Sequence, residues 1–178
     1  VSVGRLVKRK GQDRLIQALP LIREAIPNAH LLFVGEGSYE RHLRKLVRQK
    51  GLIDAVTFVG RVRFTDLPKY FCVGDVFAMP SRSRFGGLEV EGLGIVYLEA
   101  SSCGLPVVAG RSGGAPDAVV ERETGLVVDG NNVEEISRVI VNLLSGAVMG
   151  KEMGKHGREW VLAQWSLKSW AKRFTEIL

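Results

Sequence analysis

The chain has 178 residues, of which 46% are hydrophobic and 25% charged, enough for one domain with a sizeable core. No apolar run approaches the roughly 20 residues a membrane-spanning helix needs, and the opening VSVGRLVKRKG lacks the apolar centre and cleavage site of a signal peptide. The net charge of +6 fits an anionic partner and leaves nucleic acid, acidic lipid and phosphorylated small molecules open.

Short apolar runs alternate with helix-period segments along the chain. VSVG (1–4) reads as a strand. In QDRLIQALPLIREAI (12–26), Leu15, Ile16, Leu19, Ile22 and Ile26 share one helical face, with Pro20 expected to kink it. HLLFVG (30–35) reads as a buried strand and YERHLRKLVRQK (39–50) as a helix. VTFVG (56–60), a helix around DLPKYFCV (66–73) and VFAMP (76–80) follow. Next come a helix over 94–103, the strand PVVAG (106–110), a short helix near APDAVV (115–120), GLVV (125–128) and the helix NVEEISRVIVNLL (132–144). Residues 151–178 are helical, with Leu162, Trp165, Trp170, Phe174 and Ile177 at helical spacing. These aromatics pack either on their own sheet or on a partner domain. Cys72 and Cys103 fall in separate helical patterns without a CxxC, as reduced thiols do.

Strands alternating with helices predict an α/β fold with a Rossmann-like, doubly wound parallel sheet over a single domain, 1–178. In such sheets ligands sit beyond the carboxyl ends of the strands, which points to the segments after Gly4, Gly35, Gly60, Pro80 and Gly110. The usual fingerprints are missing: GEGSYE (35–40) has Glu40 where a dinucleotide site wants its third glycine, and no Walker sequence occurs.

Two stretches carry the candidate chemistry. In GRLVKRKG (4–11), Arg5 and Lys10 bracket the turn after the first strand, where a cation pair can hold a diphosphate; Lys8 and Arg9 read as solvated. In EGLGIVYLE (91–99), Gly92 and Gly94 open a helix between Glu91 and Glu99. Glycine is costly inside a helix, so these two suggest a backbone that a ligand approaches. A helix N-terminus offers free amides and a favourable dipole to phosphate, and carboxylates accept hydrogen bonds from vicinal hydroxyls. A sugar, a diphosphate and a ribonucleoside fit that order. Ser112-Gly113-Gly114, at another strand end, has a weaker lining role.

These segments, VGRLVKRKG, LLFVGEG, VTFVGRV, VFAMPS, EGLGIVYLEASSCGLPVVAG, SGGAPDAV and TGLVV, resemble in order and spacing the carboxyl-terminal half of retaining glycosyltransferases of the GT-B fold, family four. FAMPSRSRFGGLEVEGLGIVYLEA is similar to the phosphatidylinositol mannosyltransferases that use GDP-mannose. The resemblance implies transfer of α-mannose with retention to a phosphatidylinositol-type glycolipid, without metal or cofactor and without a nucleic-acid partner. It assigns catalytic roles to Arg5, Lys10 and Glu91: the cations grip the diphosphate and Glu91 binds the donor sugar. Glu99 would bind the ribose, and Gly92, Leu93 and Gly94 would present amides to phosphate and sugar. Gly4 and Gly35 would line the nucleoside, Arg61 and Val62 would face the base, and Gly113 would line the site. The acceptor site belongs to an amino-terminal domain that 151–178 would touch, so this chain is expected to be a fragment that binds donor weakly and transfers nothing. The resemblance also implies a cytoplasmic enzyme, peripheral on the inner face of the plasma membrane. Helix 39–50 displays Arg41, Arg44, Lys45 and Arg48, either to solvent or to an anionic membrane. A UDP-linked donor, an epimerase and a non-enzymatic nucleotide-binding module are the alternative readings.

Overall fold

Apolar runs without alternation need burial on both faces, and parallel pairing between helical layers supplies it. The computed structural model describes the backbone of residues 1–177 and the side chains of all but 147, 172, 173, 176 and 177. Strands β1 (Ser2–Val3), β2 (Leu31–Val34) and β3 (Val56–Gly60) form one parallel sheet in the order β1-β2-β3. Strands β4 (Phe77–Met79), β5 (Val107–Gly110) and β6 (Gly125–Val128) form a second, in the order β4-β5-β6. The two sheets meet where Ala78 N donates to Val1 O at 3.0 Å. Across that seam the strands run β3-β2-β1-β4-β5-β6, so the order in which strands are added along the sheet reverses between β1 and β4. A doubly wound fold opens its ligand crevice at such a reversal.

The helices are α1 (Gln12–Ala25), α2 (Glu40–Gln49), α3 (Leu67–Cys72), α4 (Ile95–Ser102), α5 (Val133–Ser145), α6 (Ala147–Gln164) and α7 (Leu167–Ile177). All correspond to helices expected from periodicity, and α1 continues through Pro20 as a single helix. At the start of α5, Asn132 Oδ1 accepts a hydrogen bond from Glu135 N at 2.9 Å, satisfying one orphan amide of the first turn.

Alternate strand residues feed two cores. Phe33, Ala78 and Val108 pack with Leu15, Ile16 and Leu19 of α1, Leu43 and Val47 of α2, and Ile136 and Ile140 of α5. Val34, Phe77, Met79, Val107 and Ala109 turn to the other face, against Phe71 of α3, Tyr97, Leu98 and Ala100 of α4, and Val161 of α6. The six helix-facing loops at the carboxyl edge are thereby held from both sides, and the loops after β1, β4 and β5 converge there.

Of the terminal aromatics, Trp165 follows the expectation of packing on its own sheet. Trp165 is partly buried on the second core, in ring contact with Trp160 and Trp170 at 5.8 Å each. Leu162, Leu167 and Phe174 remain exposed, and the side chain of Ile177 lies outside the described residues. No described helix is long and apolar enough to cross a membrane.

Candidate functional site

A 3-10 turn over Lys8–Lys10 follows β1 and sends Lys10 inward across Gly4, the residue just after the strand. Lys10 is 7% exposed; its Nζ lies 3.2 Å from Glu91 Oε2 and 3.3 Å from Met79 Sδ. Burial pulls the Lys10 ammonium below the ordinary lysine range, Glu91 pushes back, and Arg9 and Arg5 add to the lowering. Glu91 is 6% exposed, and its Oε2 takes no aligned hydrogen bond although two cations stand beside it. Buried polar atoms are almost always satisfied.

The second cation is Arg9, whose Nε sits 3.7 Å from the same Oε2. Sequence reasoning left Arg9 in solvent. Its side chain is only 17% exposed, and the backbone bond from Arg82 N to Arg9 O, 2.8 Å, ties its turn to the loop after β4. Arg5 is the reverse case: its side chain is exposed, and its carbonyl accepts from Gln12 Nε2 at 3.1 Å. Arg5 flanks the mouth of the site, and Lys10 occupies the interior.

The loop of Ser112, Gly113 and Gly114 carries Glu91 from below. Glu91 N donates to Ser112 Oγ and Gly114 N donates to Glu91 O, each at 3.2 Å. Gly113 has φ 54°, and a Cβ there would strike Glu91 O, so only glycine lets the two loops close. The lining segment expected from sequence is therefore the support of the central carboxylate.

The two opening glycines have different reasons. Gly94 has φ 73°, and a Cβ would meet the Tyr97 ring at 2.5 Å, so its need is internal. Gly92 is exposed, and a Cβ on it would meet nothing within 4 Å. The fold gives no reason for glycine at 92, whereas an approaching ligand does. Gly92→Ala is expected to leave the melting temperature unchanged while weakening nucleotide-sugar binding roughly tenfold, whereas Gly94→Ala lowers the melting temperature. Thermal melts and calorimetry on both variants check this; equal binding by Gly92→Ala and the parent would remove the ligand from that position.

Tyr97 anchors α4 beneath the loop. Its hydroxyl donates to Met79 O at 2.7 Å and lies 2.8 Å from Ser81 Oγ, and burial drives its phenol strongly upward. Glu99, two residues on, is half-buried, and desolvation raises its carboxyl above the usual range. Its carboxylate has no ion pair or hydrogen bond among the described residues. Leu93 is partly buried on the second core.

On the other side of the seam, Gly4 N donates to Val34 O at 2.9 Å and Gly35 N to Gly60 O at 2.8 Å, aligning the ends of β1, β2 and β3. Arg61 is exposed and 3.7 Å from Glu36 Oε1, a surface pair of little strength, while Val62 is partly buried on the second core. These positions lie at the carboxyl edge, as expected, but no hydrogen bond or ion pair among the described residues joins Arg61 or Val62 to the cluster of Lys10 and Glu91.

Sequence reasoning missed the brace behind the site. Arg82 donates from both terminal nitrogens to the two oxygens of Asp13, each at 2.9 Å, with both residues buried. The pair clamps the start of α1 to the loop after β4. A cavity of about 310 Å³ lies elsewhere, between α1, α5 and the amino ends of the strands, lined by apolar residues such as Leu15, Ile22 and Leu31. No lysine or arginine lines it, and the loop cluster remains the candidate site.

The family model described as glycosyl transferases group 1 matches residues 1–160. The chain is 49% identical over 178 residues to a GDP-mannose-dependent alpha-(1-6)-phosphatidylinositol monomannoside mannosyltransferase of Mycobacterium tuberculosis, covering all of this chain and 46% of that protein. It is 49% identical over 175 residues to a GDP-mannose-dependent monoacylated alpha-(1-6)-phosphatidylinositol monomannoside mannosyltransferase of Corynebacterium glutamicum, covering 98% of this chain and 45% of that one. A sucrose-phosphate synthase structure from Thermosynechococcus elongatus superposes with a TM-score of 0.86 at 31% identity, over 99% of this chain and 44% of its own. The chain thus spans about half the length of the curated relatives it matches.

Proposed function

This chain belongs to the group 1 glycosyl transferases, and we propose that it is the donor-binding half of a retaining mannosyltransferase that takes GDP-mannose and serves a phosphatidylinositol-type glycolipid acceptor. One observation carries the reading: a buried Glu91 carboxylate ion-paired with buried Lys10 at 3.2 Å, followed in the chain by Gly92, at which the fold leaves room. The names of the two mannosyltransferase relatives support guanine and mannose over a UDP-linked donor.

In this reading the diphosphate displaces Glu91 from Lys10. Lys10 and Arg5 then grip the phosphates and offset the charge that develops on departing GDP, a role in which preorganised cations act strongly. Glu91, freed from its ion pair, accepts hydroxyls of the mannose, and Glu99 accepts those of the ribose. The amides of Gly92, Leu93 and Gly94 meet phosphate and sugar, while Gly113 holds Glu91 in place. Gly4, Gly35, and the main chain of Arg61 and Val62 border the nucleoside.

The acceptor and the remaining catalytic groups belong to an amino-terminal half, which the exposed Leu162, Leu167 and Phe174 are suited to meet. The exposed Arg41, Lys45 and Arg48 of α2 suit an anionic membrane and support a peripheral position for the enzyme on the cytoplasmic face.

Calorimetric titration of the chain with GDP, UDP, GDP-mannose and UDP-glucose tests the reading. GDP and GDP-mannose are expected to bind, weakly but measurably tighter than their uridine counterparts, and the chain alone is expected to transfer no mannose. Preferential binding of UDP-glucose would move the donor assignment, and binding of none of the four would refute the site.

A further inference from the structure

The segment from Arg84 to Val90, between β4 and α4, has no part in donor binding as described. It forms a strapped finger. Arg84 N donates to Glu89 O at 2.9 Å, Glu89 N donates back to Arg84 O at 3.2 Å, and the two side chains pair at 2.6 Å. The Arg84 guanidinium also lies 4.5 Å from the centre of the Phe85 ring.

At the tip the backbone is left-handed for three residues in a row: Phe85 at φ 52°, Gly86 at 63° and Gly87 at 96°. An aromatic residue rarely takes that conformation, and such strain persists where the surroundings impose it for a use. Its outcome here is to hold apolar groups in water: Phe85 is 67% exposed, Leu88 91% and Val90 40%. The root is firm, with Arg82 clamped to Asp13 and Ser83 Oγ 3.2 Å from Ser112 Oγ.

Cations flank that root. Arg111, beside Ser112, and Lys8, on the turn that carries Arg9, are both exposed and have no ion-pair partner among the described residues. An apolar tip on a rigid stem with unpaired cations at its base matches a bilayer interface, where acyl chains lie beneath a plane of phosphates. A protein partner would call for acids opposite those cations, whereas an anionic lipid surface supplies the negative charge everywhere.

We propose that the finger Arg84–Val90 docks on an anionic phospholipid bilayer, with Phe85 and Leu88 entering the acyl boundary and Lys8 and Arg111 facing the head groups. The site and the membrane would then be coupled through one loop, since the same segment continues into Glu91. The proposal rests on the reading of this chain as part of an enzyme with a lipid-borne acceptor.

Co-sedimentation of the chain tests it, using vesicles of phosphatidylcholine alone and of equal parts phosphatidylcholine and phosphatidylinositol. The chain is expected to pellet with the mixed vesicles and stay in solution with the neutral ones. Phe85→Ser/Leu88→Ser should lose partition roughly tenfold or more, with GDP binding on the same samples retained as proof of folding. Arg41→Glu/Lys45→Glu on α2 should lose less. Unchanged partition of the finger variant overturns the proposal, as does greater loss in the α2 variant, which would assign the contact to that helix. A parent chain that ignores mixed vesicles yet binds GDP also overturns it while leaving the donor reading intact.

Discussion

Replacing Lys10 with methionine is expected to weaken binding of GDP and GDP-mannose roughly 10- to 150-fold, the equivalent of about 1.5–3 kcal/mol for a hydrogen bond to a charged group. Methionine keeps the packing against Met79 while removing the charge that sits 3.2 Å from Glu91. The same change leaves Glu91 buried without its closest cation, so a loss of stability accompanies the loss of binding. Adding Glu91→Gln separates the two effects: the double variant should regain much of the stability and none of the donor affinity. Calorimetry and thermal melts on the parent, the single and the double variant decide it. Recovery of donor binding by the double variant would show that Lys10 serves the fold and not the ligand.

The pH dependence has a definite sign. Burial lowers the folded-state value of Lys10 below its ordinary 10.5, so the unfolded chain holds its proton more tightly than the folded one. Stability of the ligand-free chain therefore gains from Lys10 as pH rises from the lowered value toward 10.5. Donor binding runs the other way, because a diphosphate favours the ammonium. Affinity is full below the lowered value and falls as pH rises through it. Titrations from neutral to alkaline pH should show that fall in the parent and not in Lys10→Met, the variant subtracting the ligand's own ionisation. Parallel profiles would exclude Lys10 from the phosphate contact.

The largest expected loss of stability comes from Asp13→Asn. The carboxylate receives both terminal nitrogens of Arg82 at 2.9 Å, and the two side chains are 8% and 5% exposed. Removing one member strands a buried charge, at a cost of about 3–5 kcal/mol. For a chain of this size that corresponds to a melting temperature lower by roughly 6–20 °C. The apolar pair Asp13→Leu/Arg82→Met should recover most of it, since a well-packed replacement removes both charges together. Circular-dichroism melts measure the result. A shift of only a degree or two in Asp13→Asn would mean that water reaches Arg82 and that the brace is weak. The finger and Glu91 both grow from the loop that Arg82 anchors, so donor binding should soften with it.

Much of this architecture is legible along the chain. Phe77, Ala78 and Met79 are apolar without alternation because successive side chains enter opposite cores, and such a run has few other places to go in a soluble domain. The pattern of Glu91, the glycines and Glu99 is also local: a helix N-terminus with acids on either side can be read from one short segment. The fate of Arg9 and Arg5 could not be read in the same way. They are chemically alike and close in sequence, and only the tight turn over Lys8–Lys10 and the loop arriving from β4 decide which is drawn toward Glu91. The two glycines of the opening were likewise equivalent until Tyr97 was seen to claim the space above Gly94 and to leave Gly92 bare.

By itself, the sequence determined the strands and the helices, and it pointed to the carboxyl edge and to the cationic and acidic groups of the candidate site. These follow from periodicity and residue type, which act over a few neighbours. Tertiary structure alone decided that β1 meets β4 at the seam, that Asp13 reaches Arg82, that Gly113 underlies Glu91 and that Phe85 stays in water. Those outcomes depend on contacts between residues far apart in the chain, whose energies arise only when separate elements are packed together.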